Sequence, residues 1–400
     1  MRDLLSVEQY AAELLALAPR PTAAETVAVT EAIGRTLAAP VTARVSVPAF
    51  DNSAMDGYAL RFADAAGPLL VIGEVPAGSP DDPALGPGEC VRIMTGAPLP
   101  TSADTVVPIE HTDGGREVVT LTVPPAALGQ HVRRRGDDLA EGDEVLGAGT
   151  RVTPAALAAI AGAGRGRVSV RRAPVVAVAA TGDELVGPDA VLGRGQIVES
   201  NSLQLKASLE RDGARVRRLP VIADRLDAFA AALDAVDGVD LIVLSGGVSV
   251  GDFDVVRDGL TELGEGRFVH VRMQPGKPQG YGRWRGHTPV IALPGNPLST
   301  ALSYEVFVAP VIAALLGRDA PRGATGVVEA GWRSPAGRRQ FVPVAAATDG
   351  NGVLRVRPTH RRGSASHMIT SLLGATHLAV VPEDVTEVAP GDALELLPLP

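Results

Sequence analysis

The sequence predicts a multidomain α/β protein built around a doubly wound α/β domain, and three observations support this. Short apolar runs alternate with helix-like segments between residues 174 and 318, which is the pattern of βαβ units. Three of these runs end abruptly in a glycine-containing turn, as buried strands do where they enter a loop. The flanking regions differ: a mixed α/β segment and a β-rich insertion precede this domain, and alternating strand patterns that favour a small barrel or sandwich follow it.

Composition narrows the class of protein further. Of the 400 residues, 46% are apolar but only 3% are aromatic, so we expect sizeable aliphatic cores. The net charge of −9 argues against a protein that coats nucleic acid, because such proteins need a basic face. A single cysteine, Cys90, excludes an internal disulfide and a multi-cysteine zinc site. We see no signal peptide and no run of about 18 apolar residues, so we expect no membrane segment and a cytoplasmic location.

The first half of the chain predicts these elements in order. Apolar residues at helical spacing indicate a helix from Ser6 to Leu17, and a second helix is expected over 25–37. An extended stretch follows over 41–50, and short strands broken by Gly, Pro and Asp suggest a β-rich insertion up to about residue 147. Thr153 and Pro154 then predict the start of another helix, ahead of a strand near Val168.

In the central region the sequence pattern predicts strands that alternate with helices. Either Asn201 or Ser202 is expected to cap its first helix, and Gly213 is expected to end that helix. The predicted strands lie near 175–180, 215–221, 240–244, 268–272 and 289–293, and the predicted helices near 202–212, 225–236, 253–263 and 297–316.

Three glycine-containing turns suggest a binding site for a phosphorylated ligand. We call 181–184 the first turn, 245–254 the second turn and 294–297 the third turn. The carboxyl ends of parallel strands meet at one edge of a sheet, where open α/β folds bind ligands. Glycine lets backbone N–H groups approach an anion, and a following helix start adds partial positive charge. The predicted ligand-binding residues of the second and third turns are Ser245, Gly246, Gly247, Ser249, Gly251, Pro294, Gly295, Asn296 and Pro297.

An acidic chain that binds phosphates needs local cations or a metal ion. Lys277, in a Gly-Pro turn beside a strand, is the first candidate, and Arg134 lies in the densest cationic cluster. Such a charge run is also typical of a solvated face. Glu184 either contributes to an acidic metal site or belongs to its turn, and Asp254 either caps a helix or holds a cation. Mg²⁺ prefers oxygen ligands and suits such a site best.

Two further segments are open to more than one interpretation. The loop from Asp51 to Ala59 is rich in residues that favour Asx-type turns, so it either only forms such a turn or also takes part in function. Thr95, in a hydroxyl-bearing turn between two predicted strands, either contacts a phosphate or pterin edge or caps its own turn.

Taken together, these segments resemble the molybdopterin molybdenumtransferase family, which includes MoeA and the E domain of gephyrin. Their occurrence in the same order is more specific than any single segment. The matching blocks are Asp51–Ala59, Arg92–Val107, Arg134–Asp138, Thr181–Leu185, Gly195–Asn201, Asp240–Asp254, Pro275–Gly282 and Leu293–Ser299.

The resemblance implies insertion of molybdenum from molybdate into adenylylated molybdopterin, with Mg²⁺ present and AMP released. It implies a homodimer of four-domain subunits with a MogA-like α/β domain, and molybdopterin adenylyltransferase and apo-molybdoenzymes as transient partners. The expected domains are a discontinuous mixed domain (1–47 and 141–173), a β-rich inserted domain (48–140), the MogA-like molybdopterin-binding domain (174–318) and a C-terminal β-barrel domain (319–400).

The family's functional positions correspond to particular residues here. Gln274 stands where the family often has Lys, and Arg272 is the candidate replacement for that cation. An adenylyltransferase of the same fold and a non-catalytic dimeric scaffold are the alternative functions. The resemblance implies that the catalytic residues are Asp56, Thr95, Asp138, Glu184, Asp224 and Asp254. Of these, Glu184, Asp224 and Asp254 are the expected metal ligands. Pro294 and Pro297 also correspond to functional positions of the family.

Overall fold

The computed structural model describes residues 4–18, 20–248, 254–319, 323–360 and 365–400. The chain forms two compact units. The smaller unit comprises Thr26–Val170, and the larger unit comprises Met1–Glu25 together with Arg171–Pro400.

The larger unit begins with β1 (Leu4–Leu5) and helix α1 (Val7–Leu17). Ser6 caps α1, as the sequence predicts: its Oγ accepts from the Gln9 N–H at 3.1 Å, and Gln9 Oε1 accepts from the Ser6 N–H at 2.8 Å. Tyr10 and Leu14 on the apolar face are fully buried. The predicted first helix is therefore confirmed, and it packs into the main core of the larger unit.

The smaller unit is rich in short strands. Its largest sheet has five strands in the order β8-β5-β7-β6-β9, and helix α2 begins with Pro154 in its first turn and Thr153 as its cap. The elements of this part of the chain are β2 (Ala24–Ala28), β3 (Val41–Thr42), β4 (Asn52–Ser53), β5 (Gly57–Leu60), β6 (Leu69–Val75), β7 (Glu89–Ile93), β8 (Thr105–Pro108), β9 (Val118–Val119), β10 (Val132–Arg133), β11 (Glu144–Leu146), α2 (Pro154–Gly162) and β12 (Arg167–Arg171).

The helix predicted over 25–37 is wrong. This stretch forms strand β2 followed by a 3₁₀ turn over Val29–Glu31. Six of its residues, Thr26, Val27, Val29, Thr30, Ile33 and Thr36, are β-branched, and β-branched side chains are restricted in helices and fit extended backbone.

A seven-stranded sheet dominates the larger unit, in the order β1-β18-β20-β21-β17-β13-β16. Strands β21, β17 and β13 are adjacent and parallel, which confirms the predicted doubly wound α/β fold class. The elements are β13 (Val175–Ala180), β14 (Leu185–Val186), β15 (Ile197–Val198), α3 (Asn201–Arg211), β16 (Arg215–Arg218), α4 (Leu226–Asp234), β17 (Leu241–Ser245), α5 (Val255–Glu262), β18 (Gly264–Val271), β19 (Met273–Gln274), β20 (Pro278–Trp284), β21 (Thr288–Leu293), α6 (Pro297–Ser303) and α7 (Ala309–Leu315).

Strand β20 was not predicted, and it makes the sheet mixed. It runs antiparallel to both β18 and β21, so its first residue, Pro278, lies at the edge where β21 ends. Lys277 is thereby brought to the edge that carries the three turns. Glycine hides this strand from pattern analysis, yet Gly282 is required there: a Cβ at this position would lie 2.0 Å from the Glu265 carbonyl oxygen.

The start of α3 also differs from the prediction. Neither Asn201 nor Ser202 caps it; instead the Glu199 carboxylate accepts from the Ser202 N–H and hydroxyl, both at 2.7 Å. Gly213 follows the end of α3 with φ +99°, as predicted.

The helix predicted over 297–316 is one apolar segment with an irregular centre. A π-helical turn over Tyr304–Val308 joins α6 to α7, next to Pro310, which lacks the N–H that a regular helix requires. By length and composition alone, Pro297–Leu315 could cross a membrane, although Ser299, Thr300, Ser303 and Glu305 interrupt its apolar residues. However, 72% of it is buried inside the protein, as in a core helix.

The C-terminal region forms a small closed β-barrel. Strands β24, β25, β22, β28 and β26 pair in that order, and β26 pairs back with β24. The barrel confirms the predicted C-terminal fold. Its elements are β22 (Ala324–Val328), β23 (Trp332–Arg333), β24 (Arg339–Thr348), β25 (Leu354–Pro358), β26 (His377–Val381), β27 (Glu387–Val388) and β28 (Ala393–Pro398).

Candidate functional site

The three glycine-containing turns meet at one edge of the seven-stranded sheet. The Thr181 N–H donates to the Ser245 carbonyl at 3.1 Å, and the Gly246 N–H donates to the Leu293 carbonyl at 3.1 Å. A Cβ placed on Gly295 would lie 3.4 Å from Gly246 Cα. The convergence expected from parallel strands is therefore present.

A cavity of about 810 Å³ opens at this edge. Its size is in the range of small-molecule and cofactor sites. Ser249 and Gly251 lie outside the described residues. The predicted site residues that line the cavity are Glu184, Asp224, Ser245, Gly246, Gly247, Asp254, Lys277, Pro294, Gly295, Asn296 and Pro297.

Gly246 allows the turns to pack closely. Its φ of +102° lies in the left-handed region, and a Cβ there would lie 2.9 Å from the Thr181 carbonyl oxygen. A side chain at this position would therefore separate the first and second turns.

Two acidic residues of the cavity, Glu184 and Asp224, lie near each other. Partial burial raises the pKa of Asp224, the charges of Asp183 and Glu184 raise it further, and a hydrogen bond from the Asp183 backbone opposes both effects. Neither Glu184 nor Asp224 forms an ion pair within the described parts of the chain. An anion-rich wall of this kind favours a cation.

Asp254 is the most buried of the predicted acids, with 3% exposure. Its Oδ1 accepts from the Arg257 N–H at 3.3 Å, so it caps α5, one of its two predicted roles. No group of three His, Cys, Asp or Glu side chains is arranged to hold a metal ion in the part of the chain that the structure describes.

Among the described residues, two cationic side chains line the cavity. Lys277 precedes β20, and Arg338, from the turn that leads into barrel strand β24, donates to Gln274 Oε1 at 3.3 Å. Arg272 does not line the cavity, so the compensation we expected from it is wrong; a residue 64 positions beyond Gln274 supplies the second cation.

Several cavity or near-cavity residues were not predicted, among them Glu199, Asn201, Thr300, Arg338 and Ser366. Glu199, Arg338 and Ser366 line the cavity, and Ser366 Oγ accepts from Asn296 Nδ2 at 3.0 Å. Thr300 lies beneath the third turn and donates to the Pro294 carbonyl at 2.6 Å. The available signal was polarity next to a predicted helix start, which marks Glu199 and Thr300 but gives no reason to choose Arg338 or Ser366.

The remaining predicted residues belong to the smaller unit. Asp56 Oδ1 accepts from the Thr95 N–H at 2.7 Å and from the Thr95 hydroxyl at 2.8 Å, and these bonds lower the pKa of Asp56. Arg134 pairs with Asp51 at 2.6 Å. Asp138 is exposed. The structure thus joins Asp56 to Thr95 and gives Arg134 an acidic partner.

Comparisons with family models cover nearly the whole chain. Residues 5–164 match the MoeA N-terminal region (domains I and II). Residues 177–314, which carry the three turns, match a probable molybdopterin-binding domain. Residues 325–399 match the MoeA C-terminal region (domain IV).

Individual relatives are similar over most or all of their length. Molybdopterin molybdenumtransferase 2 of Mycobacterium tuberculosis is 41% identical, covering 99% of each chain. The molybdopterin molybdenumtransferase of Bacillus subtilis is 34% identical over 93% of this chain and 89% of its own. A crystal structure of the molybdopterin biosynthesis MoeA protein from Pyrococcus horikoshii OT3 superposes with a TM-score of 0.80 at 26% identity, covering 98% of this chain and 99% of that one.

Proposed function

Since the chain belongs to the molybdopterin molybdenumtransferase family, we propose that it inserts molybdenum from molybdate into adenylylated molybdopterin and releases AMP. The observation that carries this proposal is the convergence of the three turns on one cavity within the segment similar to a molybdopterin-binding domain.

The cavity has groups suited to a diphosphate. Backbone N–H groups of glycine-rich turns and the positive end of the α6 dipole, at the wall of the cavity, favour an anion. Lys277 and Arg338 supply positive charge at the wall of the same cavity. In this assignment the turns bind the pyrophosphate, and the two cations neutralise the phosphate and the incoming oxyanion.

We propose that Mg²⁺ takes part, because the donor set fits it. Glu184 and Asp224 present carboxylates from neighbouring loops, and Mg²⁺ commonly takes one or two protein carboxylates with phosphates and water as its other ligands. These two residues would hold the ion, and Asp254 completes the predicted acidic set. The ion would neutralise charge on the phosphoanhydride that is cleaved.

The other proposals concern the smaller unit and the assembly. We propose that Asp56, Thr95, Asp138 and Arg134 act in the same reaction, in a cytoplasmic homodimer. Molybdopterin adenylyltransferase and apo-molybdoenzymes are the proposed transient partners. The predicted four-domain boundaries are part of this proposal.

The decisive assay mixes purified protein, adenylylated molybdopterin, molybdate and Mg²⁺, and measures AMP release and activation of an apo-molybdoenzyme. We expect AMP to appear without ATP and to depend on molybdate. Formation of adenylylated molybdopterin from ATP and molybdopterin, without a need for molybdate, would instead identify an adenylyltransferase. Absence of both reactions would favour a scaffold. Omitting Mg²⁺ in the presence of a chelator tests the metal separately.

A further inference from the structure

We propose that Asn201 is a positioning residue that fixes the spacing of the second and third turns, and with it the backbone groups that bind the ligand. This inference rests on the proposed function for its effect on catalysis. The underlying geometry is independent of that function.

The start of α3 leaves the Asn201 side chain available for this role. The Glu199 carboxylate, 5% exposed, already caps the helix through the Ser202 N–H and hydroxyl. Arg218 lies 3.8 Å from the same carboxylate and balances its charge. Asn201 is therefore not needed as a cap and instead lines the cavity.

Both amide hydrogens of Asn201 are used on different turns. Its Nδ2 donates to Ser245 Oγ at 2.8 Å and to the Gly295 carbonyl at 2.8 Å. An amide nitrogen has two donors, so the two bonds saturate it. One side chain thus links the second turn to the third turn.

Thr300 reinforces the same link from below. Its hydroxyl, fully buried, donates to the Pro294 carbonyl at 2.6 Å and lies 3.3 Å from Ser245 Oγ. Asn201, Ser245 and Thr300 therefore form one polar network between the second and third turns, in which Ser245 and Thr300 are 55 residues apart in sequence. Buried networks of this kind fix a unique arrangement when their donors are satisfied.

The first experiment measures hydrogen exchange, which does not require the proposed activity. We expect Asn201→Ala to speed amide exchange in peptides covering 245–248 and 294–300. Gln204→Ala is the matched control, because the Gln204 amide donates to Ser208 Oγ within the same helix and does not line the cavity. Exchange at wild-type rates in Asn201→Ala would overturn the proposal.

The second experiment separates positioning from simple loss of folded enzyme. We expect Asn201→Ala to raise the KM for adenylylated molybdopterin about tenfold, as the loss of two neutral hydrogen bonds would, with Gln204→Ala at the wild-type value. A fall in kcat at unchanged KM would mean a smaller active fraction and would contradict the proposal.

Thr300 offers a conservative rescue. Thr300→Val keeps the shape and removes the hydroxyl, whereas Thr300→Ser keeps the hydroxyl. We expect a raised KM and faster exchange in the Val variant only, and equal behaviour of the two variants would argue against the network. If wild-type protein releases no AMP, the proposed function fails, while the exchange measurements still decide the role of Asn201.

Discussion

Two aspartates, Asp56 of the smaller unit and Asp224 of the larger unit, are in opposite electrostatic states. In the smaller unit, Asp56 accepts from the backbone N–H and hydroxyl of Thr95, and its pKa is lowered. In the larger unit, partial burial and the charges of Asp183 and Glu184 raise the pKa of Asp224. The same residue type is stabilised as an anion in one place and destabilised in the other.

This difference distinguishes acids that stabilise their own loop from acids whose charge is left for a ligand. Asp56 and Thr95 are hydrogen-bonded to each other, so their first effect is on loop structure. Asp224 and Glu184 line a cavity, and the cation that we propose there would offset their negative charge. Perturbed carboxyl groups in a cleft are typical of functional sites.

The largest expected effect is at Asp254. We expect Asp254→Asn and Asp254→Ala both to lower kcat for AMP release at least about 100-fold, a loss typical of an essential charged group. Asn also caps helices well, so Asp254→Asn keeps the cap and removes only the charge. Wild-type turnover by Asp254→Asn would show that Asp254 acts only as a helix cap. Its role would then be structural, like that of Asp56 in the smaller unit.

A large effect on stability is expected at the second turn. Gly246→Ala places a side chain 2.9 Å from the Thr181 carbonyl oxygen at a φ of +102°. We expect the free energy of unfolding to fall by about 1–3 kcal/mol, measured by urea denaturation. Gly187→Ala is the control, since a Cβ there meets nothing within 4 Å. Equal stability of the two variants would show that the turns do not need their close packing.

A smaller, pH-dependent effect is expected at Asp224. The pKa of Asp224 is raised in the folded state, so folding disfavours its ionised form. The protein is therefore more stable while Asp224 is protonated, and this stability is lost as the pH rises through the raised pKa. We therefore expect Asp224→Asn to stabilise the protein near neutral pH, with the gain vanishing below the ordinary Asp pKa.

Asp227 provides a control of opposite sign for that experiment. A hydrogen bond from Arg225 lowers the pKa of Asp227, so its contribution to stability is present above the ordinary Asp pKa. We expect Asp227→Asn to destabilise the protein slightly near neutral pH. Unfolding curves from pH 3 to 8 measure both variants, and the same sign for both would contradict the comparison.

The smallest effect is expected at Thr95. Thr95→Val removes the hydroxyl that bonds to Asp56 and leaves the backbone N–H in place, so the pKa of Asp56 should rise toward its ordinary value. Thr95→Ser should keep it low. A carboxyl-detected NMR titration measures both, and an unchanged pKa in Thr95→Val would assign the shift to the backbone alone.

The sequence predicts those features that depend on local pattern. Strands β13, β17 and β21 each lead into a glycine-containing turn, so their shared edge and the cavity could be foreseen. Strand β20 was missed because Gly280 and Gly282 interrupt its pattern for a tertiary reason, the close approach of β18. The helix predicted over 25–37 was wrong because this stretch is rich in β-branched residues, which fit extended backbone.

The missed site residues depend on which distant segments meet. Asn201 is adjacent to a predicted helix start, so it was given a capping role that Glu199 performs. Arg338 follows the α/β domain by many residues, and only the three-dimensional fold places its guanidinium beside Gln274. Local pattern contains no information about such a contact.

The contacts of Ser366 bear on how this protein can be divided. Its carbonyl accepts from the Leu298 N–H at 3.0 Å and its hydroxyl from Asn296, so a loop of the barrel region covers the first turn of α6. A fragment cut after residue 318 would expose that helix start to water, and a chimaera with a relative's barrel would inherit a foreign partner there. Modular exchange of the α/β domain must therefore carry the loop around Ser366 with it.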